Sequence, residues 1–131
     1  MTRSVLDVLI VEDEPVLAKN ICAYLVRYGY RVRIATTVEA GLSELETFKP
    51  DIIVLDFNLP GMNGLEALPK IRALDREIKV LMMSADCNAD LRLKSLRAGA
   101  SDFIMKPMSV SNLRLKLEEI VGDALCDQVA P

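Results

Sequence analysis

Histidine is missing from this chain, and so is tryptophan. Without an imidazole there can be no Ser/His/Asp triad, no histidine-ligated metal and no phosphohistidine, so any phosphate held covalently must sit on another kind of side chain. Cysteine is scarce. Cys22, Cys87 and Cys126 are odd in number, lie far apart and form no close-spaced ligand pair. That argues against a disulfide framework and against structural zinc, and leaves them as small buried or incidental thiols. An excess of basic residues is lacking too: a net charge of -3 and a pI near 5.0 deny the chain the positive footprint of a nucleic-acid binder. No direct nucleic-acid contact is expected. No apolar run is long enough to span a bilayer, and Met1-Thr2-Arg3-Ser4 leads into a strand without a signal-peptide pattern. A soluble cytoplasmic protein without membrane contact is the expectation.

What remains is rich in core-forming residues. The chain has 131 residues, 51% of them hydrophobic, with a mean hydropathy of +0.25. That suits one domain able to bury a real core. Linkers, low-complexity tracts and charge runs are not seen. Short apolar runs centred near residues 9, 33, 53, 81 and 104 alternate with segments of helical periodicity. The helices are predicted at about 14–28, 38–48, 64–74, 88–98 and 109–122. Strands alternating with helices of this length imply right-handed crossovers and a parallel sheet covered on both faces, a three-layer α/β domain.

Punctuation supports this register. Pro15 stands in the first turn of the first helix, where a missing N–H costs little, and Tyr28-Gly29-Tyr30 ends it. Lys49-Pro50-Asp51 stops the second helix, Pro60-Gly61 turns the chain after the third strand, and Ala98-Gly99-Ala100 stops the fourth helix. Pro69 falls inside the third helix, where a kink is expected.

Four polar residues each close an apolar run: Asp13 after Val8 to Glu12, Asp56 after Ile52 to Leu55, Ser84 after Val80 to Met83, and Lys106 after Phe103 to Met105. The carboxyl ends of parallel strands are where open α/β sheets bind ligands, so two carboxylates, a hydroxyl and an ammonium are expected on one rim. That set suits a divalent cation and a phosphoryl group. Each member also has a plainer explanation. Glu12-Asp13 stands where a helix begins, and acids are favoured there in any case. Asp56, at the end of a buried strand, needs a partner or a cation, and Lys106 could meet that need as a simple buried ion pair. Lys106 precedes Pro107, which holds it extended, and a cis bond there could aim the ammonium back over the rim. The loop from Asp56 through Pro60-Gly61 to Asn63-Gly64 can offer a backbone carbonyl to a hard cation.

Taken together, these residues carry a family resemblance. Asp56-Phe57-Asn58-Leu59-Pro60-Gly61-Met62-Asn63-Gly64 resembles the phosphorylation loop of response-regulator receiver domains. Ile10-Val11-Glu12-Asp13-Glu14 is similar to that family's acidic pair, Met83-Ser84-Ala85 to its hydroxyl-bearing strand end, and Ala98 to Pro107 to its lysine-proline segment. The resemblance spans about residues 6–121, so the chain reads as a single receiver domain over 1–131. Residues 122–131 would be a tail or the start of a linker to a missing effector domain.

The resemblance implies roles for particular residues. Asp56 would be the phosphoacceptor. Asp13 and Asp56 would bind Mg²⁺ (or Mn²⁺) directly, Glu12 through water, and Asn58 through its backbone carbonyl. Lys106 would pair with the phosphoryl oxygens, Ser84 would bond to one of them, and Phe103 would change rotamer with Ser84. Asn58 and Asp86 would flank the path of attacking water and tune the lifetime of the phosphorylated form. A flavodoxin-like fold with strand order 2-1-3-4-5 is implied as well. Ser84 in place of the commoner threonine, Met108 where many members carry phenylalanine, and Pro69 depart from the usual pattern without removing a chemical group.

A receiver would take its phosphoryl group from the phosphohistidine of a sensor histidine kinase and switch a distal surface to control an output, here expected to be transcription. The switching surface would be the fourth helix, fifth strand and fifth helix, open to a homodimer partner or an effector domain. A stand-alone receiver in a phosphorelay and a phosphorylation-independent binding module are the alternatives. A haloacid-dehalogenase-type phosphatase is remote, because it needs a second aspartate where Asn58 stands. No turnover on an external substrate is expected, only self-catalysed phosphorylation and dephosphorylation. On the last helix Val110, Leu113, Leu117, Ile120 and Val121 form a core stripe, with Leu115 off it. Leu115 and Leu91 are a candidate exposed patch.

Overall fold

A computed structural model describes residues 6–86 and 88–129, with side chains described through Gly122. Five strands alternate with five helices: β1 Asp7–Val11, α1 Pro15–Arg27, β2 Arg31–Ala35, α2 Val38–Glu44, β3 Ile52–Asp56, α3 Gly64–Leu74, β4 Lys79–Ser84, α4 Ala89–Arg97, β5 Asp102–Met105 and α5 Val110–Val129. All strand pairs are parallel, in the order β2-β1-β3-β4-β5. This is the flavodoxin-like doubly wound arrangement that the motif resemblance implied.

Burial follows position in the sheet. Every residue of β1 and β3 is buried, as continuous apolar strands covered on both faces should be. The edge strand β2 instead carries Arg31 and Arg33, charges that keep an open edge from pairing with a copy of itself. Alternate side chains feed two cores. Leu9, Val11, Ile53, Leu55, Val80 and Met82 pack against α2 and α3, while Val8, Ile10, Ile52, Val54, Leu81 and Met83 pack against α1 and α5.

The element ends agree closely with the sequence reading at α1, α3 and α4, and α2 is shorter, ending at Glu44. A run of turns, Leu45 to Thr47, carries the chain on to Pro50. The last helix is longer than expected and continues to Val129, past the predicted end near residue 122. No proline interrupts that stretch, and Ala124, Leu125 and Gln128 are good helix formers. α3 passes uninterrupted through the exposed Pro69, whose ring deprives the Leu65 carbonyl of its usual donor. Among the thiols, Cys22 is free and half-buried, while Cys87 and Cys126 lie outside the described residues.

The stripe on α5 is as expected, with Leu113, Leu117 and Val121 buried and Val110 and Ile120 partly so. Leu115 is exposed. Leu91 is not: it turns into the core beneath α4, and the outward leucines of that helix are Leu93 and Leu96. Leu91 and Ser95 stand one turn apart on the face of α4 that meets the sheet, whereas Leu93, two residues after Leu91, lies about 200° round the helix.

Candidate functional site

Asp56 is the last residue of β3 and Ser84 the last of β4, and the parallel register sets Asp56 opposite Met83 and Ser84 opposite Met105. Glu12 and Asp13 follow β1, the other neighbour of β3, and Lys106 follows β5. The sheet therefore delivers all five polar residues to its carboxyl-terminal rim. Glu12, Asp56 and Ser84 are almost wholly buried, at 1%, 2% and 0% exposure, whereas Asp13 faces solvent.

Lys106 organises the buried charges. Its Nζ lies 2.7 Å from Glu12 Oε1 and 3.1 Å from Asp56 Oδ1, reaching from the end of β5 across to the end of β1. The Lys106–Pro107 peptide bond is cis, as the sequence allowed. Burial alone would lower the ammonium's pKa, but hydrogen bonds to Glu12 and Asp56 and the charges of both carboxylates outweigh it. The net shift is upward, so Lys106 is a fixed cation at neutral pH. The Glu12 contact escaped the sequence reading, which paired Lys106 with Asp56. Its signal lies in the strand order, which sets β1 directly beside β3.

Backbone groups complete the setting. The Glu14 N–H donates to Glu12 Oε2 at 3.1 Å and the Asn58 N–H to Asp56 Oδ1 at 3.3 Å. Ser84 Oγ accepts the Asp86 N–H at 3.0 Å, leaving its own hydrogen free to donate elsewhere. Among the described residues the hydroxyl thus stands on the rim without a hydrogen bond to Asp56 or Lys106. Phe103 is buried in the core beside Met82, Leu91 and Ala100, and Asp86 and Asn58 stand exposed around the rim.

The loop after Asp56 is held tightly. The N–H groups of Leu59 and Gly64 both donate to the Phe57 carbonyl, and Asn63 and Glu66 cap α3 reciprocally at 2.8 and 3.1 Å. Gly64 has a role that motif reading alone did not supply. A Cβ there would stand 2.8 Å from the Asp56 carbonyl oxygen and 2.8 Å from Met82 Sδ. Only glycine lets α3 begin against the backbone of the strand that carries Asp56.

Ligand oxygens of Glu12, Asp13 and Asp56 lie within 4.8 Å of one another, the one group of its kind among the described residues. Three carboxylates that close, two of them buried and sharing a single ammonium, fit a hard divalent cation such as Mg²⁺. The chemistry open to the rim is attack by a buried carboxylate on an anionic phosphorus centre with cations at hand.

Comparison with known proteins agrees. The family model for the response regulator receiver domain matches residues 8–118, and the chain belongs to that family. The KDP operon transcriptional regulatory protein KdpE of Escherichia coli is 36% identical over 111 residues, which cover 85% of this chain and 49% of KdpE. The transcriptional regulatory protein MalR of Bacillus subtilis is 34% identical over 116 residues, 87% of this chain and 49% of MalR. A CheY-like receiver domain protein from Methanospirillum hungatei superposes with a TM-score of 0.88 at 31% identity, covering 95% of this chain and 99% of that one. The chain spans about half the length of several curated relatives it matches. Receiver domains are signalling modules and not turnover enzymes, which sets aside the phosphatase alternative. Among the described residues no helix is long and apolar enough to cross a membrane.

Proposed function

We propose that Asp56 is the phosphoacceptor of this receiver and that it takes its phosphoryl group from a histidine kinase's phosphohistidine. The observation that carries this reading is the convergence of Asp56, Glu12, Asp13 and Lys106 on one rim with carboxylates in excess of cations. An Asp56 carboxylate oxygen forms the new P–O bond as the donor's P–N bond breaks, and the donor imidazole keeps the electron pair. Catalysis of such a transfer is mostly positioning and charge neutralisation. Lys106 offsets the repulsion between anionic donor and anionic acceptor, turning from Glu12 towards the phosphoryl oxygens. Asp13, Asp56 and the Asn58 carbonyl would hold Mg²⁺ or Mn²⁺ directly, and Glu12 through water. Bound there, the ion supplies further neutralising charge.

Phosphorylation adds about -1.5 to -2 charge and three strong acceptors at Asp56. The free hydroxyl hydrogen of Ser84 donates to one of them, and Phe103 repacks with it, shifting the population towards a rearranged surface of α4, β5 and α5. Leu93, Leu96, Met105 and Leu115 are exposed on those three elements and suit a homodimer partner or an effector domain. The output is control of transcription from the cytoplasm, supported by longer relatives, about half of whose length this chain spans, that are transcriptional regulators. Acetyl phosphate with Mg²⁺ is expected to add one hydroxylamine-labile phosphoryl group, read by intact mass because tryptophan is absent. Asp56→Asn is expected to abolish it, and labelling at an undiminished rate in that variant would overturn the assignment.

A further inference from the structure

The sheet ends on β2, and that edge is open. Its pairing with β1 runs from Asp7 opposite Arg31 to Val11 opposite Ala35. The Arg31 N–H donates to the Leu6 carbonyl at 2.9 Å at one end, and the Ala35 carbonyl accepts the Glu12 N–H at 3.0 Å at the other. Bonding alternates along a parallel strand, so Arg31, Arg33 and Ala35 turn their main-chain groups towards β1 while Val32 and Ile34 turn theirs away. Two donors and two acceptors therefore face outward, and among the described residues no further strand meets them. An unpaired row of this kind is a template for strand addition.

A groove of about 500 Å³ lies beside this edge, lined by Arg31, Val32 and Arg33 of the strand and by Phe48 and Lys49 beyond α2. Its solvent-facing charge is positive. Arg31 commits Nε and Nη2 to Asp7, at 2.7 and 3.0 Å, yet its side chain stays 72% exposed. Arg33 commits Nη1 to Glu44 at 2.8 Å, lies 4.4 Å from the centre of the Phe48 ring and stays 48% exposed. Among the described residues Arg31 Nη1 and Arg33 Nε and Nη2 donate to nothing, and the exposed Lys49 makes no ion pair. Asp7, the acid in the lining, is buried.

We propose that the β2 edge is a docking site for an extended acidic segment of a partner protein, which adds to the sheet as a sixth strand. Strand alternation specifies the pattern of that segment. Side chains on the face of Arg31 and Arg33 are acidic, and those between them, on the face of the half-buried Val32 and the exposed Ile34, are apolar. Charge decides among occupants. A second copy of β2 would set arginine against arginine, whereas carboxylates at alternate positions meet the uncommitted donors. None of this depends on the chemistry of Asp56, so the two readings stand or fall separately.

The probe is a peptide Glu-Val-Glu-Ile-Glu blocked at both ends, with Lys-Val-Lys-Ile-Lys as its charge-reversed control, titrated into the full chain and followed by NMR and amide hydrogen exchange. The acidic peptide is expected to slow exchange at Val32 and Ile34 about tenfold, with the Arg31 and Arg33 amides, already bonded to β1, unchanged. The control peptide should protect neither. Lys49→Glu, at an exposed position, is expected to weaken binding about tenfold. Ile34→Pro removes an outward N–H from an edge strand without touching the bonds to β1, and should abolish protection at Val32. If Ile34→Pro does not fold, Lys49→Glu carries the test. Equal protection by both peptides, or shifts at Arg33 and Lys49 with no slowing at Val32 and Ile34, overturns the proposal. Protection that grows with protein concentration in the absence of peptide assigns the edge to a second copy of the chain and overturns it as well.

Discussion

The two rims of the sheet hold similar side chains and settle their charges differently. At the amino-terminal rim Asp7 opens β1, Asp51 precedes β3 and Arg31 opens β2. Arg31 grips the Asp7 carboxylate with two bonds of 2.7 and 3.0 Å, while the Asp51 carboxylate accepts the Asp7 N–H at 2.8 Å. The Arg31 pKa is raised by that hydrogen bond and by the Asp7 charge. At the carboxyl-terminal rim the same two strands end in Glu12, Asp13 and Asp56, and a single ammonium serves both buried acids. The first rim is closed on itself and the second is short of positive charge. A deficit of cation beside buried carboxylates marks a place built for something that arrives, and the closed rim supplies an internal control.

The largest expected separation between the rims is in metal binding. Asp13→Ala should weaken Mg²⁺ affinity strongly, and Asp7→Ala should leave it unchanged while lowering stability. Lys106→Ala should keep or improve Mg²⁺ affinity, because it removes a competing cation, yet uncouple phosphorylation from the α4, β5 and α5 surface. Titration of Mg²⁺ into the three variants decides this, and equal losses for Asp13→Ala and Lys106→Ala would contradict the division of roles. Next in size is Gly64→Ala, whose methyl would press on the Asp56 carbonyl and Met82. A cost of about 1–3 kcal/mol in urea unfolding is expected from that overpacking, together with slower phosphorylation.

A pH effect sharpens the contrast from the closed side. Tyr30, just before β2, donates its hydroxyl to Glu118 on α5 at 3.0 Å. Burial first, and then the hydrogen bond and charge of Glu118, push its pKa up to about 12 from the ordinary 10.0. Between these values the folded chain keeps a proton that the unfolded chain has lost, so stability falls as pH rises. Its contribution is whole below about pH 10 and is lost on approach to 12. Tyr30→Phe should flatten that part of the alkaline stability curve without altering phosphorylation at neutral pH. An unchanged slope in urea melts across this range would count against it.

Sequence made the sheet legible because its inner strands are apolar on both faces and the glycine and proline stops fall between them. Strand order was not in that periodicity and came from motif resemblance, since nothing in an alternation of strand and helix says that β1 lies between β2 and β3. The rim residues were legible as polar ends to apolar runs. Their partnerships were less so: the Glu12–Lys106 bond joins residues 94 positions apart, and elsewhere Arg72 grips the Gly99 carbonyl, an acceptor that carries no residue identity. Leu91 was misplaced because one residue of phase separates the core face of a short helix from its surface.

The smallest expected effect lies at the edge of the open rim. Asp86 and Asn58 stand two residues beyond Ser84 and Asp56, and both are exposed. The Asp86 N–H donates to the Ser84 hydroxyl, which keeps the residue next to the end of β4, and we propose, as the family resemblance implies, that its carboxylate flanks the path by which water approaches an acyl phosphate. A negative charge there either orients that water or repels the dianionic phosphoryl group, and the two effects oppose each other. Asp86→Ala is expected to change the dephosphorylation rate severalfold in one direction while leaving Mg²⁺ affinity nearly untouched, because a group outside the ligand set alters water access without holding the metal. Decay of the phosphorylated mass peak in both proteins reads the rate, and an unchanged half-life or a large loss of Mg²⁺ affinity would remove Asp86 from this position in the site.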